Sequence, residues 1–205
     1  MKKRDGLGTE TTRYGTLPSY AKVVFFVLTS IGIGAAVFYL FSLRVGEFAL
    51  YEVAYYYLFV GVFLTCGFLI LPFRKRDKDI PWYDLLAAAL AFGLAIYFGF
   101  KNINSVKIGW NPPTPFNVTM ALIYCILIVE ISRRMAGPIY SGLVIVAAVY
   151  PLFAESMPGM LFGTSFPFAR QVGNIIYSFN GVLGLPARIL ATILVGFLVF
   201  AGVLV

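Results

Sequence analysis

The sequence predicts an all-α polytopic integral membrane protein with about six apolar segments. Three observations carry that expectation. Hydrophobic residues make up 60% of the chain and charged residues 12%, against about 45–50% and about 25% in soluble domains. The mean hydropathy is +0.87, more apolar surface than a chain this short hides in a water-facing fold. Apolar runs of spanning length alternate with short polar links that hold most of the charge.

The chain contains no histidine. That removes the usual general base, the commonest metal ligand and the haem ligand. There is no Ser-Lys pair at credible membrane depth and no acidic metal cluster, so neither an enzyme nor a cofactor is expected. Cys66 and Cys125 fall inside apolar runs and read as buried thiols packed as small hydrophobes. A disulfide or a metal pair is the weaker alternative, because nothing nearby supplies further ligands. The net charge of +7 sits between apolar segments, which points to membrane orientation and not to nucleic acid.

Residues 1–20 read as a polar cytoplasmic tail with Lys2, Lys3, Arg4 and Arg13. No cleavable signal pattern follows them. Ala21 to Leu43 is the first spanning segment, long enough for a ~30 Å hydrocarbon layer at ~1.5 Å per residue. Ser30 with Gly34 and Gly32 with Ala36 form small-xxx-small pairs that admit a neighbouring helix. A polar link with Arg44, Gly46 and Glu47 precedes the second span, from about Glu52 to Phe73. Tyr51, Tyr55, Tyr56 and Tyr57 at its start fit an interfacial aromatic belt; an aromatic ligand cage is the alternative.

The run Arg74-Lys75-Arg76-Asp77-Lys78-Asp79 is the strongest orientation signal. Pro81-Trp82-Tyr83 then opens the third span, with Pro81 suited to a helix start and Trp82 and Tyr83 to the interface. Asp84 reads first as a charge favouring the positive end of that helix dipole. Ala87, Ala91, Ala95 and Gly99 recur every four residues and mark a helix-packing seam, with a substrate path along it as the sharper alternative. The proline-rich stretch 101–115 reads as an external loop with Trp110 at the membrane surface. The fourth span runs from about Phe116 to Ile131.

Placing the N-terminus in the cytoplasm puts Lys2, Lys3, Arg4, Arg13, Lys22, Arg74, Lys75, Arg76, Lys78, Arg133 and Arg134 inside. Only Arg44, Lys101, Lys107, Arg170 and Arg188 fall outside. That bias supports the orientation.

Glu130-Ile-Ser-Arg133-Arg134-Met-Ala-Gly137-Pro138 closes the fourth span and is the ionic constellation of the apolar part. Spacings of three and four residues put Glu130, Arg133 and Arg134 on one helical face. The plain reading is that Glu130 neutralises its own arginines, which anchor the helix at the inner surface. The functional reading is that one of them also ties this module to another; substrate or ion binding is the third. After the Gly-Pro break, Ile139 to Phe153 is a shorter apolar run, followed by Glu155 and a Pro158-Gly159 turn. Ser165 is expected to cap a helix whose apolar face carries Phe168, Val172, Ile175, Ile176 and Phe179, with Arg170, Gln171 and Asn174 off it. That amphipathic stretch is too short to span and is expected in the outer interface, with a re-entrant segment as the alternative. Gly181, Gly184 and Pro186 break the chain before a sixth apolar segment, Arg188 to Val205.

Glu130 to Pro138, Tyr150, Pro158-Gly159 and Gly181-Val-Leu-Gly184-Leu-Pro186 together resemble the N-terminal region of fused permeases of the tripartite ATP-independent periplasmic (TRAP) transporters. The subgroup is the one joining a four-helix small permease module to a roughly twelve-helix large one, served by a TAXI-type binding protein. The resemblance covers about residues 20–205. Asn180 stands where an acidic residue is expected in that pattern, and Arg188 is more polar than expected.

The resemblance implies residues 21–134 as the small permease module and 135–185 as a connector helix with an outer amphipathic segment. Residues 186–205 become the start of a large permease module that continues past Val205. It implies uptake of small organic acids delivered by a periplasmic TAXI-type solute-binding protein, across the inner membrane. Sodium coupling is implied by the family, with ligands outside this chain. The implied partners are the large permease module, the binding protein and the lipid bilayer. A stand-alone membrane scaffold without transport is the alternative.

Overall fold

The computed structural model describes residues 17–45, 48–50, 52–73, 80–101, 114–178, 181 and 184–204. The N-terminal tail, the basic run Arg74–Asp79, Trp110 with most of its loop, Phe179 and Asn180 lie outside these residues. So do the expectations placed on them.

Apart from a two-residue antiparallel pairing of β1 (Arg44–Val45) with β2 (Phe48–Ala49), the described chain is helical. The helices are α1 (Ser19–Leu40), α2 (Glu52–Ile70), α3 (Trp82–Lys101), α4 (Pro115–Ala136) and α5 (Pro138–Phe153), then α6 (Phe168–Tyr177) and α7 (Leu185–Arg188). A π-helical stretch, Ile189–Leu194, leads into α8 (Val195–Leu204). Among the described residues, five helices are long and apolar enough to cross a membrane: α1 to α4, and α5 with its short extension to Ser156. Large apolar side chains cover their outer faces, among them Phe26, Ile139 and Val146. Water penalises such a surface and hydrocarbon does not, so the chain is a helical, multi-pass membrane protein.

The helix limits have local causes. Thr114 caps α4 by accepting the Asn117 N–H at 3.3 Å, with Pro115 at the first helical position, where its missing N–H costs nothing. At the other end Gly137 adopts φ 88°, a left-handed conformation glycine tolerates. There its N–H closes onto the Arg133 carbonyl at 3.0 Å, and Pro138 starts α5. The Gly-Pro break is therefore a sharp corner between two spans.

The central helix is α2, with 61% of its apolar window buried against 11% for α1 and for α5. It packs most intimately on α3. Ala91 and Ala95 are buried on that seam. A Cβ placed on Gly61 would lie 2.2 Å from the Ala95 Cβ, and one on Gly99 would lie 3.4 Å from the Ala54 carbonyl oxygen. Ala87 is only partly buried, while its neighbour Ala88 is buried. On α1 the two small-residue pairs part company: Gly32 and Ala36 face inward, with Gly32 against Val62, while Ser30 and Gly34 are exposed.

Tyr55, Tyr56 and Tyr57 are buried to 0–1% exposure, which overturns the interfacial belt for these three; Tyr51, its fourth expected member, lies outside the described residues. Successive helical residues point ~100° apart, so three in a row face inward only where neighbours surround the helix. They do so here. Tyr55 stacks on Tyr39 of α1 at 4.3 Å and donates to the Ala191 carbonyl in the π-helical stretch. Tyr56 donates to Glu52 at 2.9 Å, and Tyr57 donates to the Ile176 carbonyl of α6 at 2.7 Å.

The amphipathic helix α6 also departs from expectation. Ser165 does not cap it: the helix follows Pro167 with no side-chain cap, and the Ser165 N–H instead donates to Glu155 at 3.2 Å. Its buried face is Gln171, Val172 and Ile176, whereas Phe168 is exposed. Gln171 turns inward because its amide donates to the Ala148 carbonyl of α5 at 3.1 Å. Pro151 sits three residues beyond that carbonyl, in the same helix. Tyr177 donates to the Asn117 carbonyl at 3.0 Å. Thus α6 packs on α4 and α5 at the end of the bundle opposite Arg134.

Candidate functional site

The candidate site is built where α2 ends, α3 begins and α4 ends. Each element contributes for a local reason. Past its last turn α2 leaves carbonyls without intrahelical partners, and Leu71 is one of them. Helix α3 carries Asp84 in its first turn. Helix α4 carries Glu130, Arg133 and Arg134 within its last two turns, with both arginines in the last turn where cations complement the helix dipole.

Arg133 grips Glu130 with two bonds, Nε to Oε2 at 2.8 Å and Nη2 to Oε1 at 2.7 Å. The Arg134 Nε donates to the same Oε1 at 2.8 Å. Its Nη1 then reaches two other helices, the Leu71 carbonyl at 2.9 Å and Asp84 Oδ1 at 2.8 Å. Burial separates the two arginines. The Arg134 and Asp84 side chains are 3% and 0% exposed, and those of Arg133 and Glu130 are 36% and 25% exposed. Aromatic faces complete the cover. The Arg134 Cζ lies 5.0 Å from the Phe68 centroid and 5.4 Å from that of Phe73, while the Arg133 Cζ lies 4.7 Å from Phe73.

Two carboxylates and two guanidinium groups give the cluster a formal charge of zero. A charge left alone at the centre of a spanning helix costs about 2.5–3.5 kcal/mol on insertion scales, and pairing offsets that cost. The geometry fastens three helices at one end and engages both guanidinium groups of the cluster with Glu130 and Asp84.

Sequence reasoning foresaw the Glu130–Arg133–Arg134 grouping but read Asp84 as a helix-start charge. Asp84 does occupy the first turn of α3; its environment is a buried ion pair between helices. The missed signal was charge balance, since one glutamate cannot neutralise two arginines and Asp84 is the acidic residue that opens an apolar run at the same level. Leu71 carried no signal, because a backbone carbonyl has no residue identity. The seam residues Ala87, Ala91, Ala95 and Gly99 lie along α3 and do not line the cluster. Cys66 and Cys125 are free thiols, each partly buried. Among the described residues no group of three or more His, Cys, Asp or Glu side chains could hold a metal ion.

Compared with known proteins, the chain matches no family model, no curated protein and no solved structure.

Proposed function

We propose that the chain is a membrane component of a TRAP-type secondary transporter for small organic acids delivered by a periplasmic binding protein. In this reading residues 21–134 brace a transport module and do not carry the solute. The observation that supports it is the internal neutrality of the Asp84–Arg134–Glu130–Arg133 cluster. A site for a carboxylate substrate needs a cation or converging donors aimed at open space, whereas Arg133 and Arg134 donate to Glu130 and Leu71 and Arg134 is ion-paired with Asp84. A cluster that locks helix ends together suits a scaffold. The motif order from Glu130 to Pro186 adds the resemblance, and the coupling ion is assigned to no residue here.

The test is uptake of a radiolabelled carboxylate in proteoliposomes. The chain alone should give no uptake; with a large permease module and binding protein from the same locus, uptake should appear. Arg134→Ala should reduce the amount of assembled complex and leave solute preference unchanged. Uptake by the chain alone, or a switch in preference, would sink the reading. The same internal pairing also suits a stand-alone scaffold. A coding frame that runs past Val205 into a large permease, beside a gene for a secreted binding protein, favours the transporter over that rival.

A further inference from the structure

A groove of about 440 Å³ runs between α1, α2 and α8. Phe25, Thr29 and Ala36 line it along α1, Phe63 and Cys66 along α2, and Val199 along α8. Its one hydroxyl on α1 is already used, because Thr29 Oγ1 donates to the Phe25 carbonyl at 2.8 Å. The groove thus offers alkyl and aromatic surface and nothing to hold a polar solute or water.

Its length selects the occupant. From Phe25 to Ala36 the helix rises ~16 Å at ~1.5 Å per residue, about half of a ~30 Å hydrocarbon core and so about one leaflet. Lys22 lies one turn before Phe25. At ~100° per residue it falls on the same face of α1 as Thr29 and Ile33. The Lys22 side chain is exposed, and among the described residues no carboxylate pairs with it. Among the described residues, Arg133 and Arg134 at this end of the bundle are engaged with Glu130 and Asp84. An ammonium at headgroup level, above an apolar slot one leaflet deep, is complementary to an anion carrying an alkyl chain.

We propose that this groove seats one acyl chain of an anionic phospholipid from the leaflet at the N-terminal end of α1, with its phosphate on Lys22. This site is separate from the ionic cluster and does not depend on the transporter reading.

The experiment is native mass spectrometry of the full chain released from nanodiscs. The nanodiscs contain phosphatidylglycerol and phosphatidylcholine with identical acyl chains in equal amounts. The expected result is one retained lipid, with phosphatidylglycerol favoured about fivefold, the effect of one lysine at an anionic surface. Lys22→Gln should bring the ratio to about one. Ile33→Trp, which fills the groove from a position 58% exposed, should remove the retained lipid altogether. Because both side chains are exposed, both variants should keep the wild-type helical content by circular dichroism. The proposal is overturned by no retained lipid, by no headgroup preference in the wild type, or by a preference that survives Lys22→Gln. A dimer that Ile33→Trp converts to monomer would also overturn it, because a second copy would then be the occupant.

Discussion

Arg134 Nη1 lies 2.8 Å from Asp84 Oδ1, between side chains 3% and 0% exposed. The pair joins the end of α4 to the start of α3. The same guanidinium holds Leu71 and Glu130, so a single side chain touches three helices. Removing either partner leaves the other charged and buried, at a cost of about 3–5 kcal/mol. We predict that Arg134→Ala and Asp84→Ala each lower the unfolding midpoint steeply in detergent micelles. The double replacement Asp84→Leu with Arg134→Met should cost less than either alone, and additive losses would contradict the pairing. Arg133→Ala should cost only about 0–1 kcal/mol, the range for a solvent-screened ion pair.

The α2–α3 seam makes a contrasting pair of glycine predictions. Gly61→Ala forces a methyl to within 2.2 Å of the Ala95 Cβ, and overpacking of this kind costs about 1–3 kcal/mol. Gly34→Ala adds its methyl where nothing lies within 4 Å and should be neutral, or stabilising by up to ~1 kcal/mol through helix propensity. Thermal unfolding of the two variants side by side checks the ordering; equal losses would remove the seam from the account.

Tyr57 should act as a cap for α6. Its hydroxyl donates at 2.7 Å to Ile176, whose carbonyl lies in the last turn of α6 and lacks an intrahelical partner. Tyr57→Phe leaves that buried carbonyl unsatisfied, a loss of about 1–3 kcal/mol. Hydrogen exchange should show α6 amides opening faster while the helix ends around Arg134 keep their protection. Tyr20→Phe, at a site 62% exposed, should change neither.

Orientation has a direct reading. Met135 and Met160 are 72% and 105% exposed and lie beyond opposite ends of α5. With Cys66→Ala and Cys125→Ala as background, an impermeant thiol reagent on intact cells should label Met160→Cys and spare Met135→Cys. The reverse pattern would invert the topology inferred from the basic residues.

The periodic features were the legible ones. Five spans could be placed because apolar length is a property of composition, and the Gly137-Pro138 corner because only certain residues tolerate its backbone. The grouping of Glu130 with its arginines followed from helical spacing. What could not be read is what depends on who the neighbours are. Tyr55–Tyr57 have the composition of an interface belt, and only the arrival of α1, α6 and the π-helical stretch on the same turn buries them. Gln171 looks solvated until Ala148 offers a carbonyl. Asp84 looks like a dipole partner until α4 delivers a cation from far along the chain.

That distance has a consequence for how the protein is made. Leu71 precedes Arg134 by 63 residues, and Asp84 also leaves the ribosome before the guanidinium that satisfies both. At about 5–20 residues per second, roughly 3–13 s of synthesis separate Leu71 from Arg134. Through that interval the Asp84 carboxylate exists without the cation it pairs with in the folded bundle. Arg134 is synthesised after Leu71, Asp84 and Glu130, so the junction it makes among the ends of α2, α3 and α4 cannot close until α4 has been made.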